Sequence, residues 1–169
     1  MAHEQCLVLI KPDGLVKSLT GNIITALSET RLKIVGAKIA RVNKELAEIH
    51  YAQLKQKKPH IFDETVKYLM GLHHTDRVLA LVYSGENAIE KLRVLGGSTN
   101  PEEADFTTIR GRYGRINSKT GVMENVIHAS DSKETAEREI KIWFKPHELM
   151  ERIYPVKKAK LSREEEVWR

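Results

Sequence analysis

The residues best suited to chemistry lie together in the stretch Asn125–Ser132. This stretch places His128 between an apolar pair, Val126 and Ile127, and small polar residues of the kind that begin helices. A neutral imidazole is a good nucleophile at neutral pH, and a strand–helix junction would hold it rigidly. A single histidine beside a helix start is more often structural than catalytic, so the cations elsewhere in the chain decide the interpretation.

Several cations have the chemistry and the setting to bind phosphate. Lys11 follows the apolar run 6–10, Arg93 precedes a Gly-Gly pair, and Arg110 lies in a polar segment before His128. Arginine offers a rigid, permanently charged fork to phosphate oxygens, and lysine offers a point charge. A nucleophilic histidine with several such cations indicates phosphoryl transfer through a phosphohistidine.

Composition narrows the class of protein. A chain of 169 residues is long enough for one domain with a sizeable core. The lone cysteine, Cys6, lies in an apolar run, which excludes an internal disulfide and favours a reducing compartment. The first residues lack the features of a signal peptide, and no apolar run approaches membrane-spanning length, so we expect a cytoplasmic protein. The net charge of +5 could steer a nucleic acid or a smaller anion such as a nucleotide.

Apolar periodicity predicts an interleaved order of strands and helices. Strands are expected at 6–10, 32–42, 77–83 and 125–128, and helices at 23–31, 43–57, 62–72, 85–95 and 132–144. The polar segment 96–113 is predicted to be a long ordered loop, which in a compact domain is usually functional. This order favours an α/β or α+β sandwich, of which the ferredoxin-like βαββαβ unit is one member, and periodicity does not choose among them.

The chain resembles the nucleoside diphosphate kinase family from about residue 4 to about residue 150. The matching motifs are Ile10–Gly14, His50–Tyr51, Arg93, Gly97–Pro101, Thr108–Gly111, Asn125–Ser132 and Trp143–Pro146. The resemblance implies an α+β, ferredoxin-like βαββαβ sandwich with an antiparallel four-stranded sheet and helices on one face. We therefore expect a kinase domain over 1–154, followed by a C-terminal tail over 155–169.

The resemblance also implies a reaction and the residues that serve it. The γ-phosphoryl group of a nucleoside triphosphate, typically ATP, would pass to a nucleoside diphosphate in a ping-pong reaction through a phosphohistidine at His128. Glu139 would orient the imidazole, and Lys11 and Tyr51 would lie near the transferred group. The implied nucleotide ligands are Lys11, Ile61, Arg93, Thr99, Arg110 and Asn125.

Cofactor and partners follow from the same resemblance. Mg²⁺ would bridge phosphate oxygens, since the sequence shows no dedicated metal cage. The family forms hexamers, tetramers and dimers, so a homo-oligomer is expected, with no membrane or nucleic-acid partner. Two alternatives stay open: a catalytically silent relative, and a nucleic-acid-binding module on the same scaffold. The second would need aromatic-rich strands, and none of the predicted strands carries such a set.

Three segments depart from the family pattern. Where the family has Pro-Phe-Phe, this chain has Pro59–Phe62, so His60, Ile61 or Phe62 would contact the base. The link 72–76 is longer than usual. The segment 114–122 is also longer, and it is either a flap near the nucleotide entrance or a solvated hairpin tip.

Overall fold

A four-stranded antiparallel sheet forms the centre of the molecule. The structure is a computed structural model and describes residues 3–160. The strands are β1 (His3–Ile10), β2 (Lys33–Arg41), β3 (Arg77–Glu86), β4 (Arg115–Ile116), β5 (Met123–Glu124) and β6 (Ile127–Ala129). The sheet has the order β2–β3–β1–β6, and β4 and β5 pair separately as a hairpin.

Eight α-helices and a short 3-10 helix, Pro146–Glu148, complete the described part of the chain. The α-helices are α1 (Pro12–Val16), α2 (Thr20–Ser28), α3 (Lys44–His50), α4 (Ala52–Lys57), α5 (Pro59–Leu69), α6 (Ala88–Gly96), α7 (Ile109–Tyr113) and α8 (Lys133–Trp143). Local chemistry explains several starts, because Asn43 caps α3 and Ser132 caps α8 through hydrogen bonds from backbone N–H groups. No helix among residues 3–160 is long and apolar enough to cross a membrane.

The central strand β1 is apolar on both sides, and this decides how the layers stack. Cys6, Val8 and Ile10 face one core, which α2 and α6 cover. Leu7 and Leu9 face the other core, to which α3, α5 and α8 contribute. The ferredoxin-like unit β1–α2–β2–β3–α6–β6 is therefore confirmed. The sequence analysis expected helices on one face; α2 and α6 of the unit do lie on one face, and the helices outside the unit cover the second face.

The observed elements differ from the predicted ones mainly in the loops. Helix α1 was not predicted, and α7 lies inside the segment predicted to be a loop. Helix α5 begins at Pro59 rather than at Phe62, because proline suits the first turn of a helix. Residues 155–160 of the predicted tail are exposed, and the remainder of that tail lies outside the described residues.

Candidate active site

His128 lies at the middle of β6, opposite Leu9 of β1, with about a fifth of its side chain exposed. Its Nε2 atom lies 2.8 Å from Oε2 of Glu139, which α8 carries eleven residues further on. An ionised carboxylate only accepts hydrogen bonds, so Nε2 carries the ring hydrogen. The lone pair of Nδ1 is therefore the one left for nucleophilic attack.

Glu139 is buried and remains ionised. Its Oε2 atom also accepts a hydrogen bond from the Ser130 hydroxyl at 2.6 Å. Burial opposes ionisation, but the electrostatic interaction and hydrogen bond with the His128 ring, together with His50 and Ser130, lower the pKa of Glu139 to about 2. The hydroxyl of Ser130 in turn accepts from the backbone N–H of Leu7, which ties the carboxylate to the sheet. These bonds fix both the tautomer and the orientation of the His128 ring.

A second imidazole, His50, packs edge-on against His128 with ring centroids 4.6 Å apart. It is buried, and Nε1 of Trp143 donates to its Nδ1 atom at 3.2 Å. Burial, followed by the electrostatic interaction with the neighbouring His128 ring, holds the pKa of His50 well below its usual value, so the His50 ring is neutral. Ligand atoms of His50, His128 and Glu139 lie within 4.8 Å of one another, but these hydrogen bonds already satisfy most of them. The sequence analysis quoted His50 only as part of a motif and assigned it no role.

The ring of Tyr51 packs edge-on against this group of aromatic rings. Its ring lies 4.7 Å from that of His50, and its hydroxyl is buried without a hydrogen-bond partner among the described residues. Burial and the charge of Glu139 raise the pKa of Tyr51, so the hydroxyl keeps its proton. Arg138 holds this region against α8, because its guanidinium donates to the backbone carbonyls of Ile49 and His50. The tyrosine therefore presents an unused donor beside His50, which in turn packs against His128.

Lys11 follows β1 and is almost completely buried. Its Nζ atom donates to Oδ1 of Asn125 at 2.7 Å, and Nδ2 of Asn125 donates to the backbone carbonyl of Thr99 at 2.8 Å. Burial and the charge of Arg110 lower the pKa of Lys11 to about 7, although Asp13 partly offsets them. Three residues that the sequence analysis assigned to the nucleotide, Lys11, Thr99 and Asn125, are thus brought together.

Arg110 anchors the segment predicted to be a loop. Its two terminal nitrogens donate to the backbone carbonyls of Gly97, at 2.6 Å, and of Ile127, at 3.0 Å. Burial and the charge of Arg93 lower the pKa of Arg110 to about 10, so it stays charged at neutral pH. Its Nε atom is buried and has no partner in the part of the chain that the structure describes. An anion would satisfy that nitrogen and relieve the repulsion between the two arginines.

The turn before His128 is strained. Val126 has φ +53°, which a β-branched residue rarely adopts, and the N–H of Ile127 bonds to the carbonyl of Asn125 at 2.6 Å, closing a γ-turn. Buried Asp13 accepts from the backbone N–H of Val126 at 3.1 Å and from the Tyr68 hydroxyl. The sequence analysis quoted Asp13 only as part of a motif and assigned it no contact, and it did not single out Tyr68.

Comparison with known proteins places these residues in a family. The sequence model of the nucleoside diphosphate kinase family matches residues 4–149. The chain belongs to this family. The nucleoside diphosphate kinase of Clostridium perfringens is 42% identical over 144 residues, which cover 85% of this chain and 93% of the relative.

Solved structures of the family agree with the fold. A nucleoside-diphosphate kinase from Borrelia burgdorferi, described as a transition-state mimic with bound vanadate and ADP, has a TM-score of 0.80 at 31% identity. The match covers 90% of this chain and 93% of that chain. A Halobacterium salinarum nucleoside diphosphate kinase in complex with CDP has a TM-score of 0.77 at 35% identity, covering 90% and 95% respectively.

Two residues that the family resemblance assigned to the nucleotide lie outside the hydrogen-bond network described above. Arg93 is exposed in the last turn of α6, close enough to Arg110 to affect its pKa. Ile61 is 39% exposed on α5. Its neighbour Phe62 is buried in the second core, so His60 and Ile61 are the candidates for base contact that face solvent.

Proposed function

We propose that the chain is a nucleoside diphosphate kinase that moves the γ-phosphoryl group of a nucleoside triphosphate, typically ATP, to a nucleoside diphosphate. The observation that carries the proposal is the pairing of Nε2 of His128 with buried Glu139, which leaves Nδ1 free as the nucleophile. A catalytically silent relative would be expected to lose His128, Lys11 or an arginine, and all are present. The family membership does not favour a nucleic-acid-binding module.

The proposed reaction consists of two half-reactions. In the first, the lone pair of Nδ1 of His128 forms a bond to the γ-phosphorus, the bond to the bridging oxygen breaks, and the diphosphate leaves with that electron pair. The ring gains positive charge, which the Glu139 carboxylate stabilises through Nε2–H. In the second half, a terminal oxygen of another diphosphate attacks the same phosphorus, and the P–N electron pair returns to Nδ1.

The cations supply charge compensation for the phosphates. Arg110, Arg93 and Thr99 are proposed to hold the phosphate oxygens, because transfer needs positioned charge and little other chemistry. The unpartnered Nε atom of Arg110 supports this role. Lys11 and Tyr51 are proposed to lie near the transferred group, where the buried tyrosine hydroxyl offers a donor.

The other end of the nucleotide has fewer candidate contacts. Asn125 and Lys11 are proposed to bind the ribose hydroxyls, since their side chains already bond to each other at 2.7 Å. Ile61 is proposed to pack on the base. A single apolar contact carries no hydrogen-bond information, so we expect little selectivity among bases.

Mg²⁺ is the proposed cofactor, carried by the phosphates of the nucleotide. The buried carboxylates Glu139 and Asp13 are both engaged, Glu139 with His128 and Ser130 and Asp13 with the turn before His128. These residues fit a metal that arrives with its substrate rather than one held in a protein cage. When bound, the ion supplies neutralisation of charge on the phosphate oxygens.

Assembly and location are also proposals. A homo-oligomer, as a hexamer, tetramer or dimer, is supported by apolar side chains left in solvent: Ile34 and Ile39 on edge strand β2 and Phe106 before α7. A cytoplasmic location is supported by the single cysteine. Cys6 is buried and burial raises its pKa to about 12, as expected of an unreactive thiol.

The decisive experiment is incubation with Mg²⁺ and a triphosphate labelled at the γ-position. We expect a covalent phosphate on the protein that is labile in acid and stable in base. The His128→Ala variant should abolish labelling, and His147→Ala, which removes an exposed histidine, should not. Retained turnover in a clean His128→Ala preparation would refute the proposed function.

A further inference from the structure

One buried carboxylate that takes no part in the proposed reaction contacts both the link 72–76 and the segment 114–122, which are longer than the family pattern. Glu124 ends β5 and is 1% exposed. Its Oε1 atom bonds to Nδ2 of Asn117 at 2.7 Å and to Nε2 of His74 at 3.0 Å. Its Oε2 atom accepts from Nε of Arg115 at 2.6 Å and from Nζ of Lys17 at 3.4 Å. We call these five residues the Glu124 hub.

The hub joins three pieces of chain that are far apart in sequence. Lys17 directly follows α1, and His74 lies in the long link between α5 and β3. Arg115 and Asn117 belong to the β4 side of the hairpin. The two segments that are longer than the family pattern, the link and the hairpin, therefore meet on one carboxylate.

Charge rather than apolar burial holds the base of this hairpin. Met123 of β5 is 40% exposed, and residues 118–121 at the tip are all exposed. Burial alone would favour the neutral acid, but the hydrogen bonds from Arg115 and Asn117 and the charges of His74 and Lys17 lower the pKa of Glu124 to about 2. The carboxylate is thus ionised and fully partnered at neutral pH.

The position of the hub in the chain connects it to the nucleotide. Glu124 is followed directly by Asn125, the proposed ribose ligand, and by the strained γ-turn at Val126. The far side of that turn is fixed by Lys11, whose backbone N–H donates to the Val126 carbonyl at 2.8 Å, and Asp13 accepts from the Val126 N–H next to Asn125. Strained backbone persists only where the surrounding structure over-determines it, and the hub adds a restraint on the chain that enters the turn.

We propose that Glu124 is a positioning residue for the nucleotide: through the hub it holds the hairpin and the backbone of Asn125 where the ribose is received. This rests on the proposed function, since it assigns Asn125 to the nucleotide. The hub touches neither His128 nor Glu139, so its effect falls on binding and not on phosphoryl transfer at saturation. The sequence of the hairpin tip is not constrained under this proposal, because the restraint comes from the base of the hairpin.

The test replaces Glu124 by glutamine, with Glu29→Gln, an exposed glutamate after α2, as the matched control. The Kd for ADP, measured by calorimetry, should rise on the order of tenfold, the loss expected from one misplaced hydrogen-bonding group. The KM values for triphosphate and diphosphate should rise together, because both halves of a ping-pong reaction use one site. The maximal rate should stay near that of the wild type.

Two further variants keep the test informative if Glu124→Gln does not fold. Arg115→Ala and His74→Ala each remove one donor and leave the other three, and each should shift KM in the same direction by a smaller factor. A folded Glu124→Gln protein with unchanged Kd and KM would overturn the proposal. So would a lowered maximal rate with unchanged KM. ADP binding needs no turnover, so a wild type that binds ADP but forms no phosphoenzyme would refute the proposed function and leave this test in force.

Discussion

Replacing Glu139 by glutamine removes the charge that faces Nε2 of His128 and keeps nearly the same side-chain volume. In the structure, Oε2 of Glu139 lies 2.8 Å from that nitrogen, and the carboxylate is 3% exposed. Glutamine can still accept one hydrogen bond through its amide oxygen, but it cannot balance the positive charge that the ring acquires when Nδ1 attacks phosphorus. The substitution therefore separates orientation of the ring from stabilisation of its charge.

The expected loss can be worked from the 2.8 Å distance. A full unit charge on the ring would interact with the carboxylate by about 6 kcal/mol at an effective dielectric constant of about 20. If about half of that charge has developed in the transition state, the lost stabilisation is about 3 kcal/mol, or roughly 150-fold in rate. The dipole of the glutamine amide recovers part of this, so we expect phosphorylation to slow by roughly 10- to 150-fold.

The assay is rapid-quench measurement of phosphoenzyme formation under saturating nucleotide. Glu137→Gln is the matched control, because Glu137 lies on the same helix and its partly exposed carboxylate pairs only with Lys141 among the described residues. Nitrogen-15 NMR of the imidazole supplies a second readout, since the glutamine oxygen should keep the ring hydrogen on Nε2, as in the wild type, while the rate falls. A phosphorylation rate indistinguishable from wild type in a folded Glu139→Gln protein would refute the electrostatic reasoning.

Two other predictions concern the cations that are proposed to bind the nucleotide. Arg110→Ala should lower turnover by roughly a hundredfold or more, as expected for the loss of one preorganised donor. Lys57→Ala, at the exposed end of α4, should leave turnover unchanged. Similar rates for both variants in a steady-state assay would contradict the proposed phosphate site. For Lys11, burial and the charge of Arg110 lower the pKa to about 7 in the empty site, and an anionic phosphate would raise it. Nucleotide binding should therefore take up protons above about pH 7, and few protons well below that pH, where Lys11 is already charged. Calorimetry in buffers of different ionisation enthalpy measures the number of protons taken up. The absence of proton uptake near pH 8 would contradict the raised pKa of Lys11 in the complex.

Local patterns explain why much of the fold was predictable. The alternation Cys6 to Ile10 has apolar residues on both sides, which is typical of a strand buried between two layers. The spacing between His128 and Glu139 was also informative, because a short capped link leads from β6 directly into α8. Helix α8 begins after the N-cap Ser132, and Glu139 lies on its buried side with Ala136, Ile140 and Trp143. Strand, cap and helix are local features, but the role of Glu139 came from the family resemblance, because a glutamate on a helix is otherwise more often a surface residue.

Contacts between distant residues explain what was missed. Asp13 and Val126 are 113 positions apart, and Lys17 and Glu124 are 107 apart, so no periodicity within a segment connects them. The positive φ of Val126 runs against the preference of a β-branched residue, and a sequence-based reading assigns it to an ordinary strand. At such positions the backbone conformation is set by contacts with distant residues and not by the intrinsic preference of the residue itself.

The strain at Val126 has a geometric consequence for the two groups that act on the phosphate. Holding a residue in this region costs about 1–3 kcal/mol, and the bonds from Lys11 N–H to the Val126 carbonyl and from Val126 N–H to Asp13 offset it. After the turn, β6 pairs with β1 on one side and is the edge of the sheet on the other. The carbonyl of Ile127 accepts from Arg110, one residue before His128. The same short strand therefore carries the proposed nucleophile and contacts the arginine proposed to bind phosphate, which the Gly97 carbonyl also holds, so the turn at Val126 affects the position of one group directly and a contact of the other.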